Sequence, residues 1–166
     1  MELRAFRRED AAVICRWIRN ETELYQWSAD RFCKFPLEAA DIAGSYAQQI
    51  QSGRFFPLTA TDSAGSVTGH FIIRYLREDD DSLVRFGFVI VDPALRGRGL
   101  GRTMLGSGLA YIRAKLPAKT VDLGVFANNP SAKRCYEAVG FREYARRDCA
   151  LPVGVWECID MKLTID

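Results

Sequence analysis

The sequence is short of the groups that hold metals and build covalent catalysts. Its one histidine is His70, and its five cysteines (Cys15, Cys33, Cys135, Cys149, Cys158) are odd in number, scattered and never spaced as Cys-x-x-Cys. A zinc site, a disulfide framework and a Cys–His nucleophile all lack their raw material; the thiols read as small hydrophobes in a reduced protein. No Gly/Ser-rich linker, Pro-rich stretch or fixed-period repeat divides the 166 residues, so one domain over residues 1–166 is expected. No apolar run approaches the roughly 18 residues that cross a bilayer. The start, Met1 to Phe6, carries no continuous apolar segment of the secretory kind. The expectation is a cytoplasmic protein without a membrane partner. Charge of one sign is missing too: the net of +2 gives no reason to expect nucleic acid. Arg142, Arg146 and Arg147 read as a solvated strand edge.

What is present is a clear alternation of periods. Glu2 to Phe6 has the two-residue alternation of a strand, and Arg8 to Ile18 places apolar residues on one helical face. Asn20 to Pro36 holds Tyr25, Trp27, Phe32 and Phe35 without clean periodicity and is read as irregular. Leu37 to Gln51 is a helix, with Ile42, Tyr46 and Ile50 at four-residue spacing and Gly53 beyond its end. Strands follow at Phe55 to Thr61, Ser66 to Leu76 and Leu83 to Val91, separated by turn chemistry, and together form an antiparallel meander. Thr103 to Lys115 is helical, Thr120 to Phe126 a strand, Pro130 to Val139 a helix, and two strands lie near Phe141 to Ala145 and Val155 to Leu163. This order adds up to an α+β domain on a mixed sheet.

The chemistry concentrates where the meander ends. Val89, Ile90 and Val91 close a buried strand, Asp92-Pro93 breaks it, and Arg96-Gly97-Arg98-Gly99-Leu100-Gly101-Arg102 leads into a helix. Glycine lets backbone N–H groups approach an anion without interference from a Cβ. A helix start adds unpaired N–H groups and the positive end of the dipole, and arginines add fixed charge. The combination reads as a pyrophosphate cradle. It is not a P-loop, because no Lys stands in it, nor a dinucleotide fingerprint, because Arg102 fills the third glycine's place.

The remaining pattern, Arg-x-x-Gly-x-Gly at Arg96, Gly99 and Gly101, resembles the acetyl-CoA loop of the GCN5-related N-acetyltransferases (GNAT). A second segment is similar to a later motif of that family: Asn129, Ala132, Tyr136, Gly140 and Phe141 fill its places at the family spacing. The resemblance is strong from Leu83 to Phe141 and rests on element order alone in the N-terminal third. It implies the GNAT fold: a central mixed, mostly antiparallel sheet of six to seven strands flanked by about four helices. It implies acetyl-CoA as co-substrate, no metal, and direct transfer of acetyl to a primary amine: a small molecule, a peptide N-terminus or an antibiotic. The implied cofactor-binding residues are Val89, Ile90, Val91, Arg96, Gly97, Arg98, Gly99, Leu100, Gly101, Arg102 and Asn129. The strands on either side of the loop would splay apart around the pantetheine arm, with backbone N–H groups near Val89 to Val91 polarising the thioester carbonyl.

Asn129 is placed either to cap the helix that follows or to grip the cofactor arm. Tyr136, taken alone, is an ordinary core aromatic; within the whole pattern it is the catalytic residue, a general acid that protonates the departing thiolate. The base is unassigned. Relatives that acetylate ribosomal-protein N-termini carry Glu five residues before the motif Asn, where this chain has Gly124. Glu21, Glu23 and the turn Glu78 to Asp81 qualify by charge only. The competing reading is a non-catalytic acyl-CoA-binding sensor with the same fold. The aromatics of residues 20–36 are assigned either to the acceptor pocket or to core, and a homodimer is left open.

Overall fold

The computed structural model describes residues 1–165. The chain runs β1 (Glu2–Ala5), α1 (Asp10–Trp17), α2 (Glu21–Ser28), α3 (Ala39–Ile50), β2 (Phe55–Thr61), β3 (Val67–Tyr75), β4 (Leu83–Val91), α4 (Leu100–Lys115), β5 (Thr120–Phe126), α5 (Pro130–Val139), β6 (Arg142–Leu151) and β7 (Gly154–Thr164). The strands form one seven-stranded sheet in the order β1-β2-β3-β4-β5-β7-β6. Every neighbouring pair is antiparallel except β4 with β5. Fold class and strand count agree with the sequence reading; among the described residues there are five α-helices where about four were expected.

The additional helix is α2, in the segment read as irregular. Two turns are too short to display a period beside so many aromatics, yet a start signal is present. The Asn20 side chain accepts from the Glu23 N–H at 2.9 Å, the N-cap interaction that satisfies an orphan donor of the first turn. Its apolar face (Leu24, Tyr25, Trp27) is buried. The last two strands also run further than expected, because they form one long hairpin turning at Pro152 and Val153 into Gly154, whose φ of +121° favours glycine.

Strand alternation sends side chains to two cores. Phe71, Ile73, Val84 and Phe86 pack with Met104, Leu105 and Ile112 of α4 and with Tyr136 and Phe141 on one face. Ile72 and Phe55 pack on the other face with Ile14, Trp17, Leu24, Trp27, Ile42 and Tyr46 from α1 to α3. At the sheet edge the buried Asp10 carboxylate ties β1, α1 and β2 together. It accepts from Arg4 at 2.7 and 2.9 Å, from the Arg7 N–H at 2.8 Å and from Thr59 Oγ1 at 2.9 Å.

Two irregularities make room for a site. β4 and β5 pair only from Leu83–Arg85 against Thr120–Asp122, so β4 runs on past Arg85 without a partner on that side. In the same stretch β4 carries a bulge: His70 faces Ile90 but Ile72 faces Gly87, and Phe88 takes φ +50°. One extra residue reverses the alternation. Phe86 belongs to the α4–α5 face, while Ile90, four residues on, belongs to the α1–α3 face.

Candidate active site

The unpaired edge of β4, the loop after it and the first turns of α4 and α5 enclose a cleft of about 520 Å³. Its floor is β4 from Phe86 to Val91, with Leu123, Gly124 and Val125 of β5 opposite. Beyond Arg85 the β4 backbone groups on this side have no strand to bond to, so they are open to an extended ligand lying along them.

The loop closes one end. Gly97 and Gly99 take φ +78° and +77°, a region costly for other residues, and Gly99 is the N-cap of α4. The helix therefore begins at Leu100, three residues earlier than its apolar period indicates. From Gly97 to Arg102 six consecutive backbone N–H groups have no acceptor among the described residues. The first intrahelical bond back to the cap is Thr103 N–H to Gly99 O at 3.1 Å. Gly101 is glycine for a separate reason: a Cβ there would stand 3.2 Å from Cys135 Sγ, where α4 and α5 meet over the cleft.

Most of the residues expected at the site are brought together here. Val89, Ile90 and Val91 line the floor; Arg96, Gly97, Gly99, Leu100, Gly101 and Arg102 line the loop end; Asn129 and Tyr136 line the wall from α5. Arg98 is exposed and stands outside the lining. Ser131 and Arg134 of α5 join the cleft although sequence reasoning did not assign them; both follow from the helical spacing of Asn129's own helix, one turn apart on its open side.

The two readings of Asn129 are partly resolved. Its Oδ1 accepts from Ala132 N–H at 3.2 Å, capping α5 in front of Pro130, and its amide nitrogen has no partner among the described residues. The far end of α5 is fixed by Gly140 at φ +118°, with the Gly140 and Phe141 N–H groups bonded to Tyr136 O at 3.2 and 3.0 Å. Tyr136 is held between cleft and core: 7% exposed, edge-on to Phe141, its hydroxyl bonded to no protein group among the described residues. Burial pushes its phenol well above the ordinary tyrosine range, so it keeps its proton at any physiological pH. Burial likewise pushes the Cys135 thiol up, so no ready thiolate lines the cleft.

Of the carboxylates suggested by charge, Glu23 alone lines this cleft. It is bound by its neighbour: Arg19 donates from Nη2 at 2.5 Å, from Nε at 3.1 Å and from its backbone N–H at 2.8 Å. The Arg19 hydrogen bond holds it below the usual carboxylate range and makes it a weak base. The turn Glu78 to Asp81 precedes β4 and so lies at the end of that strand opposite the loop. The only histidine is fully buried, its Nε2 2.9 Å from the Tyr46 hydroxyl.

A second cavity of about 840 Å³ opens on the α1–α3 side, and Gln26, Trp27, Phe86, Gly87, Phe88 and Gly124 line both. The opening between β4 and β5 thus passes through the sheet at the bulge. Trp27 braces it: its Nε1–H donates to Phe88 O at 2.8 Å and its ring packs on Phe32 and Phe88. Of the aromatic group, Tyr25 and Phe32 are core, Phe35 is exposed, and Trp27 serves core and site together. Gly124 has a local reason: a Cβ there would meet an Arg85 guanidinium nitrogen at 2.6 Å. Arg85 in turn pairs with Asp122 at 3.1 Å and Asp160 at 3.0 Å, and Arg147 with Asp160 at 2.8 Å. Where some relatives place a glutamate, this chain places a part-buried ion-pair network. The other arginines of the last hairpin are engaged as well, Arg146 by Glu143 and Glu157.

The sheet is thus opened between two strands, next to a loop of free amides and arginines, and the opening is reached from both faces. The family model described as the acetyltransferase (GNAT) family matches residues 21–141, and the chain belongs to that family. It is 32% identical over 129 residues to a mycothiol acetyltransferase of Mycobacterium sp. (strain JLS), covering 74% of this chain and 42% of that protein. To a mycothiol acetyltransferase of Propionibacterium freudenreichii subsp. shermanii it is 29% identical over 113 residues, covering 66% of this chain and 36% of that one. The chain thus spans less than half the length of these curated relatives. Among solved structures, spermidine N-acetyltransferase from Vibrio cholerae in complex with CoA and spermine superposes with a TM-score of 0.80 at 20% identity, covering 98% of this chain and 94% of that one. That likeness is one of fold. No helix among the described residues is long and apolar enough to cross a membrane.

Proposed function

We propose that this chain transfers the acetyl group of acetyl-CoA directly to a primary amine, with both substrates bound at once. The observation that carries the reading is the run of six acceptor-free N–H groups from Gly97 to Arg102, set at the end of an unpaired strand edge. Such groups match a pyrophosphate in charge and hydrogen bonding, and the strand edge matches a pantetheine arm. Arg96 and Arg102 supply charge, and Asn129 offers its amide nitrogen. The relatives support the acceptor class: one is named for an N-acetylation of spermidine and holds CoA with a polyamine.

Acetyl-CoA supplies a thioester carbonyl when bound. Backbone N–H groups near Val89 to Val91, next to the bulge, would polarise it. The amine enters from the α1–α3 side through the opening at Gly87 and Gly124. Its C–N bond forms as the C–S bond breaks; the amine proton leaves to water, because Glu23 is a weak base and His70 is buried. Tyr136 gives its phenolic proton to the departing thiolate and regains one from solvent. Most of the rate gain comes from holding two substrates in line through the sheet.

The test is calorimetry with acetyl-CoA, followed by detection of free thiol in the presence of an amine panel. Binding with amine-dependent thiol release is the expected result. Binding without release from any amine would mark a sensor module, and absence of binding would remove the loop assignment.

A further inference from the structure

The cavity on the α1–α3 side is positive where an acceptor would lie. Arg74 of β3 faces Arg85 of β4 directly across the strand pair. Both share the face of Ile72 and Gly87, which closes on the second cavity. Like charges directly opposite on a sheet repel. Here the carboxylates are spent elsewhere: Asp122 and Asp160 pair with Arg85, Asp160 with Arg147, and Asp122 also accepts from the Tyr144 hydroxyl at 2.5 Å. Among the described residues Arg74 has neither a carboxylate within 4.0 Å nor a hydrogen bond. Arg31 approaches from the rim as a third cation, beside Asp30 at 3.9 Å, and Asp148 lines the rim as a solvated anion.

A half-buried guanidinium without a counter-ion, set against a second arginine, is an unfavourable arrangement in the protein alone. Desolvation first, then the nearby Arg85 and Arg31, act against its charge, and the more distant Asp122 offsets them only in part. A planar anion that accepts its forked N–H groups would offset that cost. We infer that the acceptor is an amine that also carries an anionic group, a carboxylate or a phosphate, held by Arg74. A polycation would meet Arg74, Arg85 and Arg31 with the wrong sign. Arg85 and Phe88 are three residues apart on β4, about 10 Å at strand rise. The amine and the anion are therefore separated by several bonds, within the reach of the arginine side chain. This inference rests on the acetyl-transfer reading and narrows its substrate class.

The experiment uses the whole chain with acetyl-CoA, free thiol release as the readout, and matched acceptors. These are ω-amino acids of increasing length against their primary amides, O-phosphoethanolamine against ethanolamine, and spermidine. An anionic member with a KM at least tenfold below its neutral partner is expected, and the better of the carboxylate and phosphate series names the anion. Arg74→Gln should erase the difference by raising the KM of the anionic acceptor alone, with kcat on the neutral amine and the melting temperature close to wild type. Arg74→Lys should restore part of it. Neutral amines or spermidine turned over best, or Arg74→Gln weakening both members equally, would overturn the inference while leaving acetyl transfer in place. Thiol release from no amine, with acetyl-CoA bound, would overturn the transfer reading and this inference with it.

Discussion

At the scale of single residues, the cleft is a set of positions whose reasons differ. Gly97 and Gly99 are backbone residues with φ near +78°, Gly101 is a close approach to Cys135, and Gly124 makes way for Arg85. The first three were legible as a glycine-rich loop that lets backbone approach an anion, but not in these particular reasons. Gly124 was not: what requires it is an arginine on another strand. Gly99→Val is expected to weaken acetyl-CoA binding at least tenfold, since it adds a branched side chain in a left-handed conformation over the free amides; the strain itself costs about 1–3 kcal/mol. Calorimetry paired with a melting curve separates the two effects, and unchanged affinity would remove the cofactor from this loop. Tyr136→Phe keeps the ring on Phe141 and removes the proton donor. Turnover should fall about 10²- to 10⁴-fold with acetyl-CoA affinity kept. If turnover is unaffected, water protonates the leaving group and the hydroxyl has no catalytic part.

At the scale of elements, the sequence exposed long, periodic segments and concealed irregular ones. The three meander strands, α4 and α5 were readable from period and caps. The bulge in β4 was not, since nothing in Phe86-Gly87-Phe88-Val89 announces an extra residue; only pairing with β3 reveals it. Nor was α2, although Asn20 followed by Glu23 is an N-terminal signature. These two concealed features act together, because α2 supplies the Trp27 that holds the bulge through Phe88 O. Trp27→Phe deletes that hydrogen bond, a net loss of about 1 kcal/mol, and keeps the stacking surface. The bulge would then be held less firmly, so kcat/KM should fall for acetyl-CoA and acceptor alike, by several-fold. Two-substrate kinetics check it: a rise confined to the acceptor's KM would show that Trp27 touches the acceptor and does not brace the strand.

At the scale of the whole molecule, the buried His70 couples folding to pH apart from the site. It sits between the sheet and α3, fully buried, bonded to Tyr46 and edge-on to Phe6. Burial pushes its imidazole down to about 3 from an ordinary 6.5. Below pH 6.5 the unfolded chain takes up a proton that the folded chain refuses, so stability is complete above that value and falls as pH falls toward 3. Between pH 7 and 5 the loss from this one group is about 2 kcal/mol. Paired carboxylates such as Asp10, held low by Arg4, add their losses only at lower pH, and Asp122, raised by burial, acts in the opposite sense. The melting temperature should therefore drop on acidification from pH 7 to 5, and His70→Gln should flatten that slope whatever it does to stability at pH 7. A variant with the wild-type slope would place the titrating group elsewhere. Because the same histidine is closed off from the cleft, the pH–rate profile should show no inflection near 6.5 while the protein stays folded. It should instead rise with pH as the acceptor amine loses its proton, and the raised Tyr136 phenol should impose no fall before pH 10. An inflection near 6.5 that survived His70→Gln would point to a base in the cleft other than water.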